Sequence, residues 1–398
     1  MIATTSKGVA TVQHILQQYH TASANTHVQG VIGQLKKCRT AQLGYHLYKC
    51  NNKDCAQYKY QYHSCRNRHC PACGALQKEK WIEDRKNELL PIPYYHVVFT
   101  LPHELNPIIL GNRKQLYNLL LDAAAQTLLS FANNPAYLGA TPGILSVLHT
   151  WGQQLSFHPH IHCIVSGGGM AATLQKNKNN TPKAFWKNAT GNKNDFLFPV
   201  KAMAMVYRTK YLQGFKKLIA SGTVKAAADN DIQNCIKKLY DKAWVVYAKK
   251  PFGGPQQVLE YLGRYTHKVA ITNNRIKDVD DNNQTVTFNY KDYSCNSEQK
   301  QMQITAQEFI RRFEQHILPK YFTKIRSYGY LSNKNRKTNI AAIVQCMQIP
   351  AHPPKVSIPW QVRLQERFNI IHNQCTHCKQ QSLVLVAAIF KEKFIRDG

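Results

Sequence analysis

Apolar positions along this chain follow two rhythms, one helical and one alternating. In residues 8–20, GVATVQHILQQYH, Val9, Val12, Ile15 and Leu16 recur at helical spacing. Residues 75–90, ALQKEKWIEDRKNELL, predict a charged helix that Pro91 and Pro93 terminate. YYHVVFTLP (94–102) is rich in aromatic and β-branched side chains and predicts a strand. Residues 113–131 predict a helix with Leu116, Leu119, Leu120 and Ala123 on one stripe. ILSVLHTW (144–151) and HPHIHCIV (158–165), joined by GQQLSF, then predict an antiparallel hairpin. Helices are expected over 200–220, 229–242 and 306–318, with a strand at 244–250 and a further hairpin from TVTFNYKDY and KQMQIT.

Helices mixed with antiparallel hairpins give an α+β class. Four segments emerge: a helical start over 1–34, a cysteine-rich module and helix over 35–90, a central domain over 91–275 and a basic C-terminal α/β region over 276–398. Within the central domain, LQKNKNNTPKAFWKNATGNKND (174–195) carries five lysines and no acid before Asp195, and is expected to be a loop or insertion. A second positive run, SNKNRK, lies at 332–337, and no internal repeat is evident.

Charge narrows the partner. The 398 residues hold 52 Lys and Arg against 22 Asp and Glu, a formal net of +30. Self-repulsion of that size opposes compaction unless a polyanion is a regular partner, which points to nucleic acid gripped largely through phosphates. Apolar residues make up 43% of the chain, too many for a disordered arm. No run approaches the roughly 20 apolar residues of a membrane span. The N-terminus lacks an apolar core followed by a cleavage site, so a reducing cytoplasm is the expected compartment.

Twelve cysteines are distributed unevenly: six lie between Cys38 and Cys73, and two form Cys375-x-x-Cys378. In a reducing compartment that clustering predicts metal ligation and not disulfides. A second candidate for metal chemistry is FHPHIHCIVSGGG (157–169). On a strand, His158, His160 and His162 share one face, while Ile161, Cys163 and Val165 face a core. With a tight six-residue turn His149 falls opposite His160, an alignment that a one-residue slip would destroy. The glycine run 167–169 is expected to stop the strand.

YLGRY (261–265) follows Gly253, Gly254 and Pro255 and has helical spacing, so Tyr261 and Tyr265 lie about one turn, roughly 5.4 Å, apart on one face. Arg264, His267 and Lys268 surround them with positive charge. Tyrosines four apart ordinarily pack against a core. Beside a histidine strand they take on a second meaning, because a phenol attacks phosphorus well only when positioned against a polarised phosphodiester. The ester so formed conserves the bond, and a later hydroxyl can rejoin the strand without ATP.

His160-Ile161-His162 resembles the HUH motif (His, hydrophobic, His) of single-strand endonucleases. With YLGRY it resembles the two-tyrosine branch: the rolling-circle transposases of the IS91 family, related to Helitron transposases. The likeness extends, in order, through CRTAQLGYHLYKC, SCRNRHCPAC, HVVFTLPHELN, LHTWGQQLSFHPHIHCIVSGGG, FLFPVKAM, YLGRYTHKVAITNNRI, VTFNYKDY and EFIRRFEQHILPKYFTKIRSYGYLSN, most of residues 35–335.

The resemblance implies an HUH-nuclease core, an antiparallel sheet with flanking helices, behind an N-terminal zinc-ribbon-like domain. It implies Mg²⁺ or Mn²⁺ on His160 and His162, although imidazoles alone also suit zinc. His149 is the leading third ligand, with His158, Gln153 and Gln154 as alternatives. Tyr261 and Tyr265 are the implied nucleophiles. Cys50, Cys55, Cys70 and Cys73 form a zinc set by this likeness; Cys38, Cys65 and His69, with His46 and His63, are left for a second site, and Cys375 and Cys378 lack an evident partner pair. Lys49, Arg66, Arg68, Arg264 and Lys268 are candidate DNA contacts.

The implied activity is nicking and rejoining of single-stranded DNA at element ends through a 5′-phosphotyrosine. The implied partners are single-stranded DNA and hairpins at those ends, with a homo-oligomer left open. Two rivals share parts of this picture: a replication initiator or relaxase, and a zinc-dependent nucleic-acid-binding protein without activity. A water-using metal hydrolase is disfavoured, since Glu104 and Asp122 are the only acids between residues 95 and 194.

Overall fold

The computed structural model describes residues 10–390 apart from 87, 177–181, 190–196, 226–228, 250–256, 259–260, 262, 264–265, 267, 294 and 351–356. In chain order its strands are β1 (Gly44–Cys50), β2 (Tyr58–Tyr62), β3 (Tyr94–Thr100), β4 (Thr141–Trp151), β5 (Phe157–Lys176) and β6 (Pro182–Asn188). There follow β7 (Val246–Lys249), β8 (Ile276–Asp280), β9 (Thr285–Asp292), β10 (Glu298–Thr305), β11 (Ile325–Gly329) and β12 (Leu383–Phe390).

The central sheet runs β11-β4-β5-β3-β7, with β6 added to the far end of β5. Period-two alternation gives this sheet two unlike faces. Val97, Phe99, Ile144, Leu148, Ile161, Cys163 and Val165 are buried on one, beneath the helices Arg113–Asn133 and Val200–Ala220. The other face is apolar at one end, where Tyr94, Leu145 and Ile164 pack with Val258 and Tyr330. Its other end carries the histidines.

Two smaller sheets flank this one. The order β10-β9-β8 packs its Val286 and Phe288 with the helices Val12–Tyr19, Thr26–Lys36 and Ala306–Gln315 in a separate core. The third sheet has the order β12-β1-β2. The last described strand therefore pairs with the first, in register from Gly44 opposite Phe390 to Cys50 opposite Leu383. The late cysteine pair, which the sequence places in a C-terminal region, is thereby carried to the N-terminal module. The α+β reading stands, with mixed helices and antiparallel sheets throughout.

Two local expectations are corrected. In the segment 174–195, residues 174–176 continue β5 and residues 182–188 form β6, with Gly168 opposite Asn188 and Met170 opposite Trp186, while 177–181 and 190–195 lie outside the described residues. Likewise the glycine run does not end β5. It lets the strand pass between tight neighbours: a Cβ on Gly168 would lie 2.4 Å from the Trp186 ring, and one on Gly169 would lie 2.6 Å from the Thr141 carbonyl. A glycine run looks like punctuation in sequence, but here it permits a close backbone crossing.

Candidate active site and metal centres

The β4–β5 register puts His149 directly opposite His160, as the turn arithmetic predicts, and Val147 opposite His162. His149, His160 and His162 each bring one ring nitrogen to a common point, all within 4.8 Å of one another. Burial pushes His160 down to about 4 and His162 far below the ordinary imidazole range, and the charge of Lys268 adds to both effects. Near neutral pH these rings are uncharged and keep a lone pair. His160 Nδ1 donates to the His158 carbonyl at 2.7 Å, which leaves Nε2 as its ligating nitrogen.

No carboxylate joins this group among the described residues. Glu104 is engaged by Lys242 at 2.5 Å, and Asp122 lies 3.6 Å from Arg326. Of the alternative third ligands, Gln153 Nε2 donates to the Tyr293 hydroxyl at 3.1 Å and Gln154 is exposed, while the His158 ring lies 5.3 Å from that of His160 but outside the converging set. Three converging imidazoles, with the ligating nitrogens of His160 and His162 set by their hydrogen bonds, suit a divalent transition ion with positions open for substrate oxygens.

Tyr261 stands on this face. Residues 257, 258, 261, 263 and 266 are helical, and Val258 anchors the helix in the apolar end of the face. Gly263 lets it close in, since a Cβ there would lie 2.6 Å from Ile82 Cδ1 on the helix Ala75–Lys86. The Tyr261 hydroxyl then sits 2.5 Å from His96 Nε2 and 3.0 Å from His162 Nδ1. If His162 offers Nε2 to a metal, its proton resides on Nδ1. A directed chain results, from His162 N–H to the phenol oxygen and from the phenol O–H to His96 Nε2. Tyr265 and Arg264 lie outside the described residues.

His96 is the site residue that sequence reasoning missed. In YYHVVFT the core residues are Tyr95, Val97 and Phe99, so His96, Val98 and Thr100 occupy the opposite face. Val98 pairs with His162 and Thr100 with His160, which makes that face the histidine face. The alternation was visible, but the pairing partner of β3 was not.

The cysteines form two groups of four: Cys38, Cys65, Cys70 and Cys73, and Cys50, Cys55, Cys375 and Cys378. This corrects the expected set of Cys50, Cys55, Cys70 and Cys73. The β1–β2 hairpin lies between Cys38 and Cys65 in sequence, so it carries Cys50 and Cys55 away to meet the β12 end of the chain. The Sγ–Sγ distances Cys65–Cys73, Cys50–Cys378 and Cys55–Cys375 are 3.7, 3.7 and 3.8 Å. A tetrahedral zinc with Zn–S bonds of about 2.3 Å requires sulfur edges of about 3.8 Å, whereas a disulfide requires about 2.0 Å. Hydrogen bonding from Cys65, then Cys70 and Cys73, holds the Cys38 thiol far below its ordinary range. The Gln380 backbone, before its neighbouring thiols, brings Cys378 down to about 6. The same contacts push Cys65 and Cys70 up in the first group, and burial with the neighbouring thiols pushes Cys55 up in the second, so four thiolates together would need a cation between them.

The remaining candidates separate clearly. His69 is outside both groups: its Nε2 accepts the Leu318 N–H at 3.3 Å, and burial first, then Arg68, pushes it down to about 3. His46 and His63 pack edge to face, 4.7 Å between ring centres. Arg68 donates to the carbonyls of Phe322 and Pro319, so it ties the module to the following chain while remaining exposed. Lys49, Arg66 and Lys268 are exposed.

Comparison with known proteins agrees with this geometry. A family described as "Transposase zinc-binding domain" matches residues 11–101, and one described as "Putative transposase" matches residues 143–339. The protein named "Putative transposase y4qJ" of Sinorhizobium fredii is 39% identical over 92% of this chain and 90% of its own. The transposase for insertion sequence element IS801 of Pseudomonas savastanoi pv. phaseolicola is 27% identical over 90% of this chain and 83% of its own. A solved complex of TrwC with a 27-mer DNA bearing its recognition hairpin and cleavage site overlaps 42% of this chain and 71% of that one, at 10% identity and a TM-score of 0.21. At that score the likeness has no bearing on function. No helix among the described residues is long and apolar enough to cross a membrane. By its relatives and its two matched domains, this chain belongs to the IS91 family of rolling-circle transposases.

Proposed function

We propose that this transposase nicks and rejoins single-stranded DNA at the ends of its element through a covalent 5′-phosphotyrosine. The observation that carries the reading is the contact of the Tyr261 hydroxyl with His162, itself one of three converging imidazoles. His149, His160 and His162 would hold Mn²⁺ or Mg²⁺; their all-nitrogen character favours Mn²⁺, and Mg²⁺ would rely more on water and phosphate oxygens. A divalent ion bound there would polarise a non-bridging oxygen of the scissile phosphodiester.

The chain's own groups supply the rest. Tyr261 Oη attacks phosphorus, the P–O3′ bond breaks, and the 3′-oxygen takes a proton from water. The phenol proton passes to His96 Nε2, which already faces it at 2.5 Å. His162 Nδ1–H supports the phenol oxygen as it loses that proton. Attack of a 3′-hydroxyl on the tyrosyl ester reverses these steps and joins the strand. Tyr265, one helical turn on in the sequence, would serve the other strand or end.

DNA, including hairpins at the element ends, would be gripped by Lys268 beside the imidazoles, by Arg264, and by Lys49 and Arg66 on the N-terminal module. Zinc in both four-cysteine groups would be structural, because four protein ligands leave no open position. Assembly into a homo-oligomer is compatible with this scheme but is not required by it.

The test is direct. The protein is incubated with labelled single-stranded element ends and Mn²⁺, denatured, and any protein–DNA adduct is mapped. The expected adduct is on Tyr261 or Tyr265 and is absent from a Tyr261→Phe, Tyr265→Phe double variant. Cleavage by that double variant without any adduct would overturn the reading.

A further inference from the structure

The zinc-module sheet carries a feature that neither the catalytic reading nor the cysteines use. On β2 the tyrosines alternate: Tyr58, Tyr60 and Tyr62 are 55%, 53% and 42% exposed. β2 is an edge strand of its sheet. The register sets Tyr62 opposite Tyr45, Tyr60 opposite Leu47 and Tyr58 opposite Lys49, so all six side chains share one face. Tyr45 meets Tyr60 and Tyr62 edge-on, with ring centres 5.3 and 5.9 Å apart. Tyr60 and Tyr62 are nearly parallel, 16° between planes and 6.3 Å between centres. Lys49 Nζ lies 5.9 Å above the Tyr58 ring.

Large aromatic rings are normally buried or scattered singly on a surface. Four on one face of a three-stranded sheet represent a sizeable apolar area left in water. The surrounding charge selects the occupant. Lys49, Lys53 and Lys59 lie in this hairpin against one acid, Asp54, in a chain of net charge +30. An apolar protein partner needs no such cations. A nucleic acid offers phosphates to the lysines and flat bases to the rings.

Spacing then separates single strands from duplex. Duplex bases are stacked on one another and present only their edges. Residues two apart on a strand are about 6.7 Å apart, roughly twice the 3.4 Å rise of a stacked nucleotide strand. A ladder at every second residue therefore matches an extended strand with splayed bases. Aromatic sheets of this kind hold unpaired bases by stacking, with little demand on sequence.

We propose that Tyr45, Tyr58, Tyr60 and Tyr62 form a stacking platform for unpaired bases of single-stranded DNA, with Lys49, which shares their face, on its phosphates. This surface is separate from the tyrosine that does chemistry, and the proposal rests on the reading that the protein works on single strands. Its role would be to hold the displaced strand or the unpaired loop of an end hairpin.

Two measurements on the full-length protein test it. Oligothymidylate carrying 5-iodouracil is photocrosslinked to the wild type and the attachment sites are mapped. Crosslinks at Tyr58, Tyr60 or Tyr62 are expected, and crosslinks found only elsewhere would refute the platform. In parallel, a Tyr58→Ala, Tyr60→Ala, Tyr62→Ala variant is compared with the matching Phe variant, with zinc content as the control for folding. The alanine variant is expected to lose at least about tenfold in affinity for the single strand and little for duplex, while the Phe variant retains both. An alanine variant with full zinc content and unchanged single-strand affinity overturns the proposal, as does one that loses single-strand and duplex affinity equally. Adduct formation on a short nicking substrate is scored separately: its absence from the wild type defeats the catalytic reading and leaves the crosslink result intact.

Discussion

The histidine centre and the cysteine centre that includes Cys375 and Cys378 are built on opposite plans. His149, His160 and His162 come from one hairpin, where strand alternation and a six-residue turn suffice to bring them together. Cys50 and Cys55 meet Cys375 and Cys378 across more than 300 residues, and only the pairing of β1 with β12 unites them. The first brings together three candidate ligands and the second four. Local register suffices for the one, and long-range closure is needed for the other.

The contrast between the two plans breaks most visibly at His160. Replacing His160 with Ala is expected to lower strand cleavage by at least about a thousandfold, since the polarising ion loses a ligand. The zinc content should remain two per chain. Loss of zinc along with activity would show that the two centres are not independent.

Next in size is the converse substitution. Cys375→Ser should release one zinc of two and expose the β1–β2–β12 sheet to protease, while the tyrosyl adduct on a short oligonucleotide persists. Metal analysis and limited proteolysis read both outcomes. Retention of both zincs would place Cys375 outside the ligand set.

A smaller effect sharpens the picture within the histidine face. His96→Ala should reduce the rate of adduct formation about a hundredfold at unchanged DNA affinity, because the phenol loses its proton acceptor but no metal ligand is lost. The loss should shrink as pH rises towards the phenol's own range. A variant with lost metal affinity instead would make His96 a ligand. Smallest is Gly263→Val, which should cost about 1–3 kcal/mol by overpacking against Ile82 and slow the adduct by displacing Tyr261. Thermal melting and adduct kinetics measure the two parts.

What the sequence disclosed divides along the same line. The face shared by His160 and His162, the opposing His149 and the helix 200–220 are periodic features, and periodicity survives without knowledge of the fold. His96 sits in an equally periodic strand, but its meaning depended on β3 lying beside β5. The partition of cysteines was illegible for a stronger reason: C-x-x-C at 70–73 and at 375–378 look alike, and nothing local says which distant pair each will meet. The segment 182–188 misled through composition, because lysine-rich stretches read as solvent-bound even where β5 offers a ladder to pair with. Gly167–Gly169 misled through habit, since close crossing and chain reversal make the same demand for a missing Cβ.

The clasp formed by Cys375, Cys378 and β12 also has a consequence for synthesis. The histidine hairpin, its β11 neighbour and Tyr261 all precede Cys375 in the chain, so they can assemble on the ribosome while the cysteine-module sheet still lacks one edge. A product cut short between β11 and Cys375 would keep His149, His160, His162 and Tyr261 but lack two of the four sulfurs of the second cysteine group. The far cysteine pair is thus a late latch, which can shut the sheet only after the histidine face has been made.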